Sequence, residues 1–217
     1  DKTTEAGIPK AFFINKSDDP DAHFDKVFEQ LHEQFGSTVC PVLVPYKDGK
    51  NVFFLNLIER KAYSFDAKGS RTTADFDDKM EELASQYTDT LSEALASTSE
   101  ELLDKYFEEG EISQEEAVEA LHQGIIDGSI VPVFSGSAVN LWGITFLLDT
   151  IADSFPRPTA KKVEKIIDGD GFKDMPIDPD GEPAIFVFKT IADPFVGKMS
   201  FFKVMSGKLT NEMTLKN

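Results

Sequence analysis

Two units of strand, polar loop and helix, held apart by a long stretch of different texture, constrain this chain more than any other feature. The first opens on the apolar run Ile8-Pro9-Lys10-Ala11-Phe12-Phe13-Ile14, long enough for a buried strand. A polar loop follows, and Asp19-Pro20 reads as a helix start, an acidic cap before a proline. Phe24, Val27, Phe28, Leu31 and Phe35 then recur at helical spacing up to Gly36. The second unit repeats the plan. Ile130-Val131-Pro132-Val133-Phe134 leads into Ser135-Gly136-Ser137-Ala138-Val139-Asn140, then a helix carrying Leu141, Ile144, Leu147, Leu148 and Ile151 and ending before Pro156. With residues 37–128 set aside, the pattern is βαβα, an open parallel sheet. Ligands of such sheets gather at the carboxyl ends of the strands, here at loops 15–18 and 135–140.

The intervening stretch predicts strands over 39–46 and 52–58, joined by a turn at Lys47-Asp48-Gly49-Lys50, with 61–65 pairing behind them. Helices follow over 76–96, from Thr98 and from Ser113. Thr98 with Glu101, and Ser113 with Glu116, have capping-box spacing. The third helix sets Val118, Leu121 and Ile125 on one face and stops at Gly128. Residues 156–183, rich in Pro, Gly and Asp, read as a linker. Beyond them, 184–192 and 196–206 open an all-β domain. The chain starts at Asp1 and ends within a strand pattern near Leu215, so a piece of a longer protein is expected. The domain plan is 1–36 and 129–158 for the parallel-sheet domain, 37–128 for an α+β insert, 159–182 for a linker, and 183–217 for the β domain.

Charge narrows the possible partners. The net charge is -17, and residues 75–119 hold sixteen acids against two bases, Lys79 and Lys105. A basic nucleic-acid groove is excluded as the main binding mode. The one cysteine, Cys40, permits neither an internal disulfide nor a Cys-based zinc site; it reads as a small buried apolar residue in a reducing compartment. The three histidines, His23, His32 and His122, have no metal-ligand spacing. Asp168-Gly169-Asp170-Gly171 lacks the remainder of a calcium loop. No metal site and no membrane segment are expected.

The first loop, Asn15-Lys16-Ser17-Asp18, is an N-K-x-D. The Asp18 carboxylate can accept from the N1–H and N2–H2 groups of guanine. Asn15 offers a donor and an acceptor, and the Lys16 stem can cover a flat ring. The Ala138 backbone N–H of the second loop can face the guanine O6. Adenine would leave these groups unpaired, which gives selectivity. The plainer alternative stays open: Asp18 and Asp19 cap a helix and Asn15 makes a turn. No G-x-x-x-x-G-K-[ST] occurs, so the phosphate end of such a site is not in this sequence.

Several segments resemble bacterial translation elongation factor G. Residues 7–18 resemble its guanine-specificity segment. Phe186-Val187-Phe188-Lys189-Thr190-Ile191-Ala192-Asp193-Pro194-Phe195-Val196-Gly197 and its continuation to Gly207 resemble the start of its second domain. Glu100-Glu101-Leu102-Leu103-Asp104-Lys105-Tyr106-Phe107 and Gly136-Ser137-Ala138 fit in order and spacing. The resemblance implies an α/β fold: the C-terminal part of a P-loop GTPase parallel-sheet domain with an α+β insert, followed by the start of a β-barrel. It implies GTP or GDP as cofactor, with magnesium in the intact protein. The implied nucleotide-binding residues are Asn15, Lys16, Ser17, Asp18, Ser137 and Ala138; no catalytic residue is implied in this segment. Implied partners are the ribosome and, through the acidic insert, the stalk proteins of its large subunit, for a cytoplasmic monomer that drives tRNA and mRNA movement. Ser17 and Val139-Asn140 depart from the family pattern and point to a divergent paralogue. The alternatives are a ribosomal-protection or release-factor relative, or a ribosome- or protein-binding module without nucleotide function.

Overall fold

The computed structural model describes residues 2–49, 51–157 and 162–215, which divide into two compact units, Asp1–Pro156 and Arg157–Asn217. The first unit is built around a parallel sheet of β1 (Phe12–Ile14), β7 (Val131–Ser135) and β2 (Val39–Pro41), in the order β1-β7-β2. β7 is buried along its whole length, as a central strand covered on both faces must be. The strand expected over 8–14 forms only at its last three residues. Pro9 withholds a ladder donor, and β1 pairs from Phe12↔Val133 onward, beyond Pro132 of the partner strand. Upstream lies a single helical turn, α1 (Lys2–Glu5), with Gly7 at φ 61°.

The run 39–46, expected as one strand, is two strands in two sheets. Val42 is the junction: its N–H donates to Val133 O at 3.0 Å, while its carbonyl accepts from Leu57 N at 3.0 Å. β2 before it belongs to the parallel sheet, so that sheet reaches past residue 37, where the insert was expected to begin. β3 (Leu43–Asp48) after it starts an antiparallel sheet with β4 (Asn51–Asn56), β5 (Lys61–Phe65) and β6 (Arg71–Asp75), in chain order. β3 and β4 are joined through Gly49, at φ 61°; Lys50 of the expected turn lies outside the described residues. β4 stops at Asn56 instead of 58, because the buried Asn56 carboxamide accepts from the N–H groups of Ile58 and Glu59 and closes a turn.

The helices need similar adjustments. α2 (Phe24–Phe35) starts four residues after Pro20, behind His23, whose side chain makes no capping bond. Asp19 instead accepts from Asp21 N in a local turn ahead of the helix. α3 (Asp78–Ala96) is capped by Asp77, so Phe76 stays outside. α4 (Glu100–Glu109) is capped by Ser99, not Thr98, whose hydroxyl donates back to Leu95 O at 2.7 Å. α5 (Gln114–Asp127) has the full Ser113–Glu116 capping box and ends on left-handed Gly128. Its buried face is Ala117, Ala120, Leu121, Gly124 and Ile125, while Val118 points to solvent. α6 (Ile144–Ser154) buries Phe146; Leu141 lies before it at φ 60°, and Leu148 and Ile151 are exposed.

One apolar cluster joins both sheets and the helices, with Val39, Cys40, Leu43, Phe54, Leu95, Ile125, Val133 and Phe134 at most 2% exposed. Burial pushes the Cys40 thiol far up, so it stays protonated and inert.

The second unit consists of two antiparallel pairs. The stretch expected as a linker contains the hairpin β8 (Val163–Asp168) and β9 (Gly171–Pro176), closed by the two residues Gly169 and Asp170. Its composition concealed a two-residue Gly-Asp turn rather than a tether. β10 (Ala184–Asp193) pairs with β11 (Gly197–Ser206) around a turn in which Asp193 accepts from Phe195 N and Val196 N at 2.8 Å each. No strand forms among residues 207–215, against the expectation near Leu215. The fold class is the expected one: mixed α/β with a parallel sheet, followed by antiparallel pairs like the opening of a barrel.

Candidate functional site

Because β1 and β7 are parallel neighbours, their carboxyl ends lie side by side, with Ile14 opposite Ser135. The two polar loops therefore leave the sheet together, and three hydrogen bonds zip them. Gly136 N donates to Ile14 O at 3.1 Å, Ser17 N donates to Gly136 O at 2.9 Å, and Ala138 N donates to Asn15 Oδ1 at 2.9 Å. Asn15 Oδ1 also accepts from Lys16 N at 2.8 Å. Lys16 takes φ 68°, a left-handed conformation that turns the chain sharply.

Burial separates the six expected residues into two sets. Ser17 and Ser137 are buried in the loop bases, while Asn15, Lys16, Asp18 and Ala138 face solvent. Asp18 has no hydrogen bond or ion pair to any described residue, so both its oxygens are free to accept. The Ala138 N–H, expected to face a ligand carbonyl, is given to Asn15 instead. A ligand that needs it must share it with or take it from the Asn15 oxygen.

The second loop is held by contacts the sequence did not advertise. Ser137 and Trp142 exchange two backbone bonds, at 3.0 and 2.9 Å, and Ser137 Oγ accepts from Asn140 N. Gly136 is obligatory: a Cβ there would lie 2.1 Å from Trp142 O. Trp142 carried no sequence signal, since pairing across a loop has no fixed spacing. On the far side of the first loop lies a cavity of about 440 Å³, between Lys16, the start of α2 and Lys47. Lys47 Nζ donates to Asp19 O at 3.1 Å, tying the loop to β3. Ser137 and Ala138 do not line this cavity.

Electrostatic features concentrate in the insert. Lys105 Nζ lies 2.6 Å from Glu116 Oε1 and 3.7 Å from Glu109. The Lys105 bond, followed by those from Ser113, holds the Glu116 carboxyl down at about 2. Burial, helped by Glu59, pushes the Tyr63 hydroxyl up to about 12. Among the described residues no three His, Cys, Asp or Glu side chains gather as metal ligands, and no helix is long and apolar enough to cross a membrane.

The chain is similar to a protein of known structure from Thermus thermophilus, with a TM-score of 0.71 and 25% identity over 95% of its residues. It spans 28% of that protein's length. The profile of the elongation factor Tu GTP binding domain matches residues 2–157, the parallel sheet, both loops and the insert together. By that match, carried on strands that bring an N-K-x-D loop against a Ser-Ala loop, the chain belongs to the elongation factor Tu GTP-binding domain family.

Proposed function

We propose that this chain is the guanine-recognition part of a ribosome-dependent translational GTPase of the elongation factor G kind, and a piece of a longer protein. The observation that carries the reading is the zipped pair of loops, which leaves the Asp18 carboxylate exposed, and unpartnered among the described residues, beside the Asn15–Ala138 bond. Asp18 binds the two donors of the guanine edge, Lys16 covers a ring face, and Asn15 ties the loops while offering its amide. Ser17 and Ser137 hold the loop bases, and Ala138 N–H meets the base carbonyl. Phosphate and magnesium ligands come from elsewhere in the longer protein, which drives tRNA and mRNA movement as a cytoplasmic monomer. The β10–β11 pair, which carries the segment resembling that family's second domain, supports the choice of elongation factor G among translational GTPases. The acidic insert contacts the ribosome through basic stalk proteins; its sixteen acids over residues 75–119 support that.

The test is a nuclear magnetic resonance titration of the chain with guanosine and adenosine 5′-monophosphates. Guanine-selective shifts at Asn15, Asp18 and Ala138, with a dissociation constant in the millimolar range, are expected. Equal responses to both bases would reject the reading.

A further inference from the structure

The insert does more than present an acidic surface: its antiparallel sheet grips the far end of the second loop. Ser135 Oγ donates to Leu43 O of β3 at 2.8 Å. The Trp142 ring packs on Phe54 of β4, with centroids 6.3 Å apart. Gly69, in the turn before β6, approaches Leu141 so closely that a Cβ would lie 2.8 Å from the Leu141 Cβ. One turn into α6, buried Phe146 meets Tyr63 of β5 edge-on at 4.5 Å.

Arg71 closes this arrangement. Its guanidinium lies 4.9 Å from the Phe146 ring centroid and 5.7 Å from that of Tyr63, and its Nη1 is 3.4 Å from Asp149 Oδ2. Arg71 opens β6, an edge strand whose five residues are all exposed, so burial of the strand itself does not demand an arginine there. A cation that lies over two rings and bonds a carboxylate is suited to pinning a helix to a sheet.

We propose that Arg71 is a positioning residue for the base site. The path is short and covalent at its end. Arg71 fixes the first turns of α6, Gly143 caps that helix, and Trp142 beside it holds Ser137 through two hydrogen bonds. Ala138 follows Ser137, so the direction of its N–H depends on the clamp. Arg71 touches no nucleotide; it acts through α6 and the loop. The inference rests on the guanine reading above for its ligand and extends it, by making the insert part of the base-recognition machinery.

The test uses the chain and its Arg71→Ala, Arg71→Lys and Asp149→Asn variants. Amide hydrogen exchange at Ser137 and Ala138 is expected to quicken about tenfold in Arg71→Ala, with β7 amides little changed. Affinity for guanosine 5′-monophosphate is expected to fall about three- to tenfold. Arg71→Lys is expected to restore only part of both, since an ammonium cannot stack as a plane. Where Arg71→Ala fails to fold, Asp149→Asn, on the exposed side of α6, carries the same readout. Unchanged exchange at Ser137 and Ala138 in folded variants would overturn the proposal, as would acceleration spread evenly over β7 and α6. A wild-type chain that ignores the base rejects the guanine reading, while the exchange measurement still decides the role of Arg71.

Discussion

The proposed base recognition places its heaviest demand on a single carboxylate. Asp18 is exposed and unpartnered among the described residues, so its oxygens are available to two donors at once. Asp18→Asn replaces one acceptor with an NH2 donor, which would meet the guanine amino group donor to donor. Loss of the charge-assisted pair is expected to cost about 2–4 kcal/mol of guanine affinity in the longer protein, and to abolish most of the chain's own weaker binding. Xanthine carries a carbonyl at that position, so the variant is expected to gain xanthosine monophosphate binding while losing guanosine monophosphate. Titrating both ligands against both proteins checks this. A residue that only served a helix start would give a small stability loss and no change in base preference. The N-K-x-D residues could be singled out from sequence because their types and order form a local pattern. The Asn15–Ala138 bond was not legible, because it joins residues 123 apart and depends on how two strands pair. Lys47 and Trp142 were silent for the same reason, since their contacts exist only once the sheets are assembled.

Among the elements, those with local chemistry were readable and those decided by tertiary pairing were not. The α5 capping box is complete within four residues, and it was read correctly. β6 has no alternation to read, because an exposed edge strand buries neither face. The junction at Val42 is invisible in a continuous apolar run, since the two sheets differ only in partner. The α5 cap also sets a pH dependence. Glu116 accepts from Lys105 Nζ at 2.6 Å, from Ser113 Oγ at 2.6 Å and from Ser113 N at 3.0 Å. These donors hold its carboxyl at about 2, below the ordinary value of about 4.3. A depressed folded value means its stabilising contribution is complete above the unfolded value and is lost as pH falls toward the folded one. The Lys105–Glu116 tie between α4 and α5 is therefore expected to loosen between about pH 5 and about pH 2. Glu116→Gln keeps an acceptor for the cap but removes the charge, and is expected to flatten that part of the acid response. Thermal melts of helical circular dichroism across that range, for both proteins, measure it. Equal slopes in the two would mean that the Lys105–Glu116 pair contributes nothing to acid sensitivity.

At the scale of the whole molecule, the proposed base site belongs to a strongly acidic chain. Its sequence contains no G-x-x-x-x-G-K-[ST], so no glycine-rich amide cradle and lysine meet the phosphates. In related chemistry those groups and magnesium supply the strong, charge-assisted bonds to nucleotide. Base contacts alone must also compete with the bond from Ala138 N to Asn15. A millimolar dissociation constant, equivalent to about 4 kcal/mol, is what such a site can sustain. The net charge of -17 adds a second effect, since each added phosphate brings more negative charge toward a negative surface. This chain is therefore expected to bind guanosine monophosphate, diphosphate and triphosphate in falling order at low salt. At high salt, where a Debye length shrinks to about 3 Å, the three affinities are expected to converge. A protein that cradles phosphate gives the reverse order, with affinity climbing steeply from monophosphate to triphosphate. Isothermal calorimetry of the three ligands at two ionic strengths distinguishes the two cases. Micromolar triphosphate binding by the 217-residue chain would mean that its own residues form a phosphate site.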